Sequence, residues 1–462
     1  MSPMPRQRYA HLDGLRAIAA LAVMVEHLFG DLLRQAPAAT GPMSTLARSV
    51  VENLSLGRFG VVLFFLISGF VVPFSITGER PLRHFAISRL FRLYPAFWLA
   101  LAVLAAMGWL SGNGPGTATV LANLTMAPPL FGQPWLSPIH WTLFVELLFY
   151  GLVALLFAAG ALRQVGSLLA LSLALIAATV VPMQLRTHGI ASLPVQYLGL
   201  HLSFLFLGLL LRLGLIEGRR GGRLAALALV LAQFAVVLSV AQFSLARGDN
   251  FIMEGLRPVL AAYVLAFAIF FAAIRLQRPR SLLLARLGLI SYAMYLFHGT
   301  INAFVYRVLP LTGGLGDMAT ILACTGLTLA VSWLVYLMVE RPMMRFGRRI
   351  SRHVTPPAPA SWRADALGRE AGWNGALAVS RAGNEASVLH PSPDYRAVRY
   401  ADGSTRLWEA APTLADLAVD RVEETRISDR LVGALLGTAI AAVTLSWFTL
   451  LCYVGWTIVE LL

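Results

Sequence analysis

The chain of 462 residues is 58% hydrophobic and only 13% charged, and its mean hydropathy is +0.70. A soluble domain carries about 25% charged residues, so this composition excludes an ordinary water-soluble protein and indicates a lipid bilayer as solvent. The net charge is +14, but the arginines cluster beside apolar stretches as in membrane loops, so we expect no nucleic-acid partner.

The two cysteines and the N-terminus limit the chemistry further. Cys324 and Cys452 both fall inside apolar runs, so we expect neither a disulfide framework nor a metal site. The N-terminus is basic and then apolar, like a signal peptide, but Glu26 and His27 interrupt the apolar run. This interruption favours an uncleaved first membrane-spanning helix.

Apolar stretches of about 20 residues, enough to cross a bilayer, recur along the chain. They predict an all-α, polytopic membrane protein with a ten-helix core and one additional C-terminal transmembrane helix. The predicted spans are 12–30, 56–76, 88–110, 138–160, 165–183, 194–214, 223–243, 256–275, 285–308, 318–342 and 431–459.

The arginines predict the orientation of these spans. Arginine clusters follow the second, sixth, eighth and tenth stretches and Arg163 follows the fourth, all on the side of the N-terminus if every stretch crosses the membrane. By the positive-inside rule that side is the cytoplasm. We therefore predict a multi-pass protein of the bacterial cytoplasmic (inner) membrane with a cytoplasmic N-terminus.

Three segments differ in composition. Residues 1–345 form the predicted membrane-embedded core. Residues 346–430 are rich in Ala, Pro and charged residues with weak apolar periodicity, which indicates a cytoplasmic, partly disordered linker. Residues 431–462 contain the predicted C-terminal transmembrane helix.

The first predicted helix contains an arginine and a histidine inside its apolar run. Arg16 and His27 are eleven residues apart, which places them on nearly the same helix face and about 16 Å apart along the axis. An imidazole titrates near neutral pH and can take a proton from a hydroxyl. A snorkelling arginine with an interfacial histidine is an equally good interpretation of this pair alone.

Ser68 and an arginine pair follow in the second and third predicted helices. Ser68 lies within an apolar run but lacks the sequence around a hydrolase nucleophile, so we disfavour that role. Arg89 and Arg92 are spaced i, i+3 at the cytoplasmic end of their helix and could grip phosphates bidentately. Simple positive-inside anchoring is the stronger interpretation for these arginines alone.

Later spans also contain polar residues. Glu146 lies inside the fourth apolar run, after Trp141 at the entrance, and must be neutral or paired there. It could orient His27, bind an acceptor hydroxyl or form a structural pair with an arginine. Tyr295 and His298 share one face of the ninth span and are either interhelical contacts or the wall of a site. Glu340 ends the tenth span, where a salt bridge to an arginine is the simplest expectation.

Together and in this order, these elements resemble acyltransferase family 3, membrane proteins that acylate cell-surface carbohydrates and some small molecules. The resemblance covers roughly residues 9–345. The matching elements are Arg16 and His27 preceded by Asp13 and Gly14, FFLISGF at 64–70, Arg89 and Arg92 with Tyr94 and Pro95, Trp141 with Glu146, the SYAMYLFH run ending at His298, and Glu340 with Pro342.

The resemblance implies an acyl-CoA donor, acetyl-CoA in many members, on the cytoplasmic side and a carbohydrate or glycolipid acceptor. It leaves a homo-oligomer open. It implies three groups of site residues: His27, Arg16 and Glu146 as catalytic; Arg89, Arg92 and Arg16 as CoA-binding; and Trp141, Ser68, Tyr295, His298, Asp13 and Glu340 as substrate-binding or structural. Thr142 departs from the family, since many members have Ser there.

Two other functions suit a bundle with buried polar residues. A transporter or flippase of acylated or glycan intermediates would use buried Arg, Glu and His, but it leaves the arginine pair unexplained and the halves show no convincing repeat. A membrane-bound acyltransferase of the Asn/His type needs a buried asparagine, whereas Asn53, Asn123 and Asn302 fall at span edges or in loops.

Overall fold

A computed structural model describes residues 10–77, 80–188, 197–247, 255–276, 281–354, 395–399 and 405–409. The chain divides into two units, Met1–Arg369 and Glu370–Leu462. In the second unit the described residues form an antiparallel hairpin of β1 (Tyr395–Arg399) and β2 (Thr405–Glu409). The all-α prediction did not include this hairpin.

The described part of the first unit is helical. Its α-helices are α1 (Ala10–Gln35), α2 (Pro42–Asn53), α3 (Leu56–Val71), α4 (Pro81–Leu110), α5 (Thr117–Leu124), α6 (Trp141–Ala158), α7 (Val165–Thr187), α8 (Leu198–Leu215), α9 (Gly222–Arg247), α10 (Leu256–Leu276), α11 (Leu282–Leu289), α12 (Ser291–Val305), α13 (Asp317–Val335) and α14 (Arg341–Val354). Short 3-10 turns follow α3 and α5, and a π-helical turn joins α13 to α14.

The ten apolar stretches of the predicted core all coincide with helices. Among the described residues, eight helices are long and apolar enough to cross a bilayer, and α11 with α12 makes a ninth if this bent pair is one span. Helix α1 is 26 residues long, but it contains five acidic or basic residues and is therefore not counted among these helices. The multi-pass architecture is confirmed, and the count of ten spans stays a prediction.

Several elements depart from the predicted boundaries. Helices α2 and α5 lie in segments that the apolar pattern assigned to outer loops. Helix α14 continues past residue 345, where the core was expected to end, so the linker begins with helix. The predicted span at 431–459 lies outside the described residues, and the division into domains stays a prediction.

Helix α8 lies at the centre of the bundle, with 78% of its most apolar window buried. It crosses α3 closely because glycines meet the partner backbone from both sides. A Cβ at Gly69 would overlap the carbonyl of Leu205, and one at Gly208 would overlap that of Leu66. Small residues at such crossings allow the van der Waals packing that joins helices in lipid, where the hydrophobic effect between them is absent.

Helix α9 shows the outer surface of the bundle. Its leucines Leu224, Leu227 and Leu231 are 71%, 54% and 62% exposed and fall on one helix face at i, i+3 and i+7. A contiguous apolar stripe of this kind is a surface for lipid or for a partner. In a many-helix apolar bundle we assign it to lipid.

The ninth span is broken at Ile290, where α11 and α12 meet at 68°. Helix α12 therefore begins inside the bundle, with Ser291 buried. Glu340, 4% exposed at the end of the π-helical turn, lies within the electrostatic influence of Arg92 and of the backbone N–H of Ala293 in the first turn of α12. A carboxylate near the N-terminus of a helix complements the helix dipole. The expected salt bridge of Glu340 to an arginine stays a prediction, and Arg92 is the arginine that acts on this carboxylate.

Candidate active site

A cavity opens among α1, α3, α4, α6 and α12, with about 700 Å³ of empty space when the adjoining open solvent is included. Six of the residues singled out from the sequence line it, contributed by five different helices. The polar lining residues are Arg16, Ser68, Arg89, Arg92, Thr142, Glu146, Tyr150, Ser291, Tyr292 and Tyr295, and the apolar ones are Val61, Phe64, Phe65, Val72, Leu93 and Leu143. The structure thus brings together side chains up to 279 residues apart.

Three arginines give the cavity an excess of positive charge over its one lining carboxylate, Glu146. Arg89 lies over the rings of Phe85 and Tyr150, 5.6 Å from each centroid, and donates a 3.3 Å hydrogen bond to Ser75 Oγ. These contacts fix its guanidinium on one side and leave other N–H groups for a ligand.

Arg92 and Arg16 are held by fewer strong contacts. Arg92 Nη1 lies 3.9 Å from the sulfur of Met344, which is a weak acceptor. Arg16 forms an ion pair with Asp13, one turn earlier on α1, at 3.0 Å. Asp13 therefore pairs with Arg16 and lies outside the cavity lining. Cationic groups with unused donors in a partly enclosed cavity suit an anionic ligand such as a phosphate.

Glu146 is the hub of a hydrogen-bond cluster inside the cavity. Ser68 donates to its Oε1 at 3.1 Å and Tyr150 donates to the same oxygen at 2.6 Å. These two donors offset the cost of a carboxylate within an apolar span. Sequence reasoning missed Tyr150, although its position four residues after Glu146 on one helix face was a usable signal.

Tyr295 joins the cavity to its neighbours on α6. Its hydroxyl lies 2.7 Å from Thr142 Oγ1 and 2.9 Å from the backbone carbonyl oxygen of Ile139. Tyr292, another residue that the sequence analysis did not select, donates to the carbonyl of Leu93 at 2.9 Å. Together these bonds fix the first turns of α12 against α4 and α6.

A pair of histidines lies one helical turn beyond Tyr295. His27 Nδ1 is 2.6 Å from His298 Nε2, and the two rings are nearly parallel, with centroids 4.9 Å apart. His298 is 1% exposed, and its Nδ1 lies 3.0 Å from the carbonyl oxygen of Met294. The sequence proposed the two histidines separately, 271 residues apart, and their pairing is a result of the fold.

The site therefore has two levels along α1: the arginine-lined cavity, and the pair of His27 and His298. Neither histidine belongs to the cavity lining, and His27 lies eleven residues beyond Arg16 on the continuous helix α1, which is about 16 Å. The Tyr295 ring lies 6.1 Å from the His298 ring and lines the cavity as well. Tyr295 thus connects the arginine level to the histidine level.

Two further residues named in the sequence analysis, Trp141 and Asn302, lie outside the cavity lining. Trp141 packs against the rings of His201 and Phe65, with centroids 4.6 and 6.5 Å away. Asn302, which the sequence placed at a span edge, is buried within α12 at 1% exposure, one turn after His298.

These observations define an integral membrane protein with an enzyme-like polar site inside its helical bundle. The chain matches the sequence profile of acyltransferase family 3, described as an acyltransferase domain, over residues 9–337. The protein belongs to this family and is an acyltransferase.

One curated relative is the exopolysaccharide production protein ExoZ of Rhizobium meliloti (strain 1021). It is 29% identical over 324 residues, which cover 67% of this chain and 96% of the relative. The match therefore extends over almost the whole of that protein. No solved structure matches the chain.

Proposed function

We propose that this acyltransferase moves a short acyl group, acetyl in the simplest case, from acyl-CoA to a hydroxyl of a surface polysaccharide or of its lipid-linked precursor. The observation that carries the proposal is the juxtaposition of a cavity lined by three arginines with a histidine pair one turn of α12 beyond it. The first level suits a polyanionic donor, and the second suits removal of a proton from an acceptor.

The donor end of the proposal rests on charge. Coenzyme A carries a diphosphate and a 3′-phosphate, and Arg16, Arg89 and Arg92 offer several N–H donors from three positions around one cavity. Guanidinium groups recognise phosphates bidentately.

The chemistry of the proposal requires one proton acceptor. The acceptor hydroxyl attacks the carbonyl carbon of the thioester while His27 takes its proton, and the C–S bond then breaks. The acyl group is then bound to the acceptor oxygen as an ester. The thiolate takes the proton from His27 and becomes free coenzyme A. General base catalysis of this kind contributes roughly 10²- to 10⁴-fold to a rate.

Two further observations support the proposed acceptor and the proposed orientation of the protein in the membrane. The relative ExoZ is named for exopolysaccharide production, which supports a polysaccharide acceptor for this chain. With all ten core stretches crossing the membrane, the arginine-rich loops fall on the side of the N-terminus, and the positive-inside rule then favours a cytoplasmic N-terminus and a cytoplasmic donor. The acceptor then approaches from the other face of a bacterial cytoplasmic membrane, towards His27.

The test is acyl transfer by the purified full-length protein in detergent. Acetyl-CoA labelled in the acetyl group is incubated with polysaccharide extracted from a deletion strain, and the label in the polysaccharide is counted. We expect labelling together with release of free coenzyme A. An absence of transfer from acetyl-, propionyl- and succinyl-CoA alike would contradict the proposed donor.

A second measurement identifies the acceptor. Surface polysaccharide from the deletion strain and its parent is compared by mass spectrometry. We expect the deletion strain to lack a mass that corresponds to the transferred acyl group. Identical acylation in both strains would overturn the polysaccharide as acceptor and leave the donor assignment standing.

A further inference from the structure

His298 has no task in the reaction as written above, although it is the hydrogen-bond partner of His27. It is almost completely buried, at 1% exposure, and it lies outside the cavity that would hold the donor. A buried imidazole in an apolar bundle is costly unless its ring nitrogens are satisfied. The partners of those nitrogens indicate what the residue does.

The positions of the ring hydrogens follow from the hydrogen bonds that join the Met294 carbonyl, His298 and His27. The carbonyl oxygen of Met294, 3.0 Å from His298 Nδ1, can only accept, so Nδ1 carries the hydrogen. In a neutral imidazole the other nitrogen is then an acceptor. His298 Nε2 therefore accepts, and its neighbour at 2.6 Å, His27 Nδ1, must donate.

This direction of the hydrogen bonds leaves a lone pair on one ring nitrogen of His27. With Nδ1 protonated, the remaining nitrogen of neutral His27, Nε2, has no hydrogen. An imidazole with one nitrogen held as N–H by a buried partner presents the other as a base in a fixed tautomer and a fixed orientation. Catalytic triads use the same arrangement, with a carboxylate in place of the second ring.

We infer that His298 is a positioning residue that fixes His27 as the Nδ1–H tautomer and so presents His27 Nε2 as the base. The backbone carbonyl of Met294 sets the direction of the hydrogen bonds. This inference rests on the proposed function of His27 and assigns the base to a single atom. Unlike a carboxylate partner, the His298–Met294 relay adds no negative charge within the membrane.

The experiment compares two substitutions of His298. His298→Gln keeps an oxygen at about the position of Nε2 and an amide that can donate to the Met294 carbonyl. His298→Leu keeps volume but offers no acceptor to His27 Nδ1. We expect kcat to fall about 10²-fold or more in His298→Leu and less than about tenfold in His298→Gln. KM for acetyl-CoA should stay unchanged in both, because the arginine cavity is intact.

A double variant distinguishes positioning from a merely structural role. If His298 acts only through His27, adding His298→Leu to His27→Ala leaves the residual rate of His27→Ala unchanged, because the two residues work as one unit. A further loss in the double variant, or equal losses in the Leu and Gln variants, overturns the inference. His84→Leu, a half-buried histidine outside the site, is the matched control and should retain wild-type activity.

Nitrogen-15 NMR of histidine-labelled protein reads the tautomer without any turnover. We expect His27 in the wild type to show a protonated Nδ1 and an unprotonated Nε2, and we expect this pattern to persist in His298→Gln and to be lost in His298→Leu. A wild-type His27 protonated at Nε2 would contradict the inference. If the wild type transfers no acyl group but shows the expected tautomer, the proposed function fails and the hydrogen-bond assignment stands.

Discussion

The Ser68 hydroxyl donates a 3.1 Å hydrogen bond to Glu146 Oε1 inside the cavity and so joins α3 to α6. Tyr150 donates to the same oxygen from one turn further along α6, at 2.6 Å. The carboxylate thus holds two hydroxyls in place and offsets one of the three arginines that line the cavity. Its removal affects both the packing of the bundle and the charge of the site.

Replacement of Glu146 by Ala should destabilise the bundle. Two hydroxyls would lose their acceptor, and each unsatisfied buried group costs about 1–3 kcal/mol. We expect a lower temperature of thermal unfolding in detergent for Glu146→Ala and a smaller change for Tyr150→Phe, which removes one donor and leaves the carboxylate. An unfolding temperature of Glu146→Ala equal to the wild-type value would contradict a stabilising role of Glu146 as the acceptor for Ser68 and Tyr150.

Arg89 and Arg92 should determine the affinity for the donor. We expect Arg89→Ala and Arg92→Ala each to raise KM for acetyl-CoA by about 10- to 100-fold, since a charge-assisted hydrogen bond contributes about 1.5–3 kcal/mol. Lysine at either position should recover only part of this loss, because an ammonium cannot bind a phosphate bidentately.

The control for the arginines is Arg83→Ala, an exposed arginine of α4 outside the cavity lining. Its KM should match that of the wild type. Acetyl-pantetheine, which lacks the nucleotide phosphates, provides the second arm. If the variants lose as much rate with acetyl-pantetheine as with acetyl-CoA, the arginines do not bind the phosphates.

Gly69 should be intolerant of any side chain. A Cβ at this position overlaps the backbone of Leu205 on α8, so Gly69→Ala must separate α3 from α8 or fail to fold. Gly151 on α6 is the matched control, because a Cβ there meets no atom within 4 Å. We expect Gly69→Ala to reduce the folded yield and the unfolding temperature, and Gly151→Ala to change neither.

The orientation in the membrane is testable by labelling of single cysteines. In a background with Cys324 and Cys452 replaced by Ala, Leu130→Cys marks the predicted outer side and Arg220→Cys the predicted cytoplasmic side. Both native residues are exposed. An impermeant maleimide added to intact cells should label the first cysteine and spare the second. The reverse pattern would invert the topology and move the donor cavity to the wrong side.

The sequence predicted the helices well because lipid imposes a simple rule. Every backbone polar group must be satisfied within its own segment, so long apolar runs become helices, and the ten core stretches did. Arg16 and Glu146 were selected for a related reason, since a charge inside an apolar run is costly and is a functional candidate, whereas Arg89 was selected by its spacing from Arg92.

The tertiary relationships could not be read from the same rule. The contact of His27 with His298 and the break at Ile290 depend on how distant helices pack, which apolar periodicity does not contain. Tyr150 escaped notice because a tyrosine in an apolar run is ordinary, and only the position of Glu146 gives it a role. The hairpin of β1 and β2 lies in a segment whose weak periodicity predicted no element.

The central claim is that His27 is the base of an acyl transfer served by an arginine-lined donor cavity. The most direct test is transfer of labelled acetyl from acetyl-CoA to the polysaccharide by purified His27→Ala, with binding of acetyl-CoA measured in parallel by calorimetry. The account predicts a loss of about 10²-fold or more in kcat with unchanged donor affinity. Wild-type transfer by the correctly folded variant would contradict it.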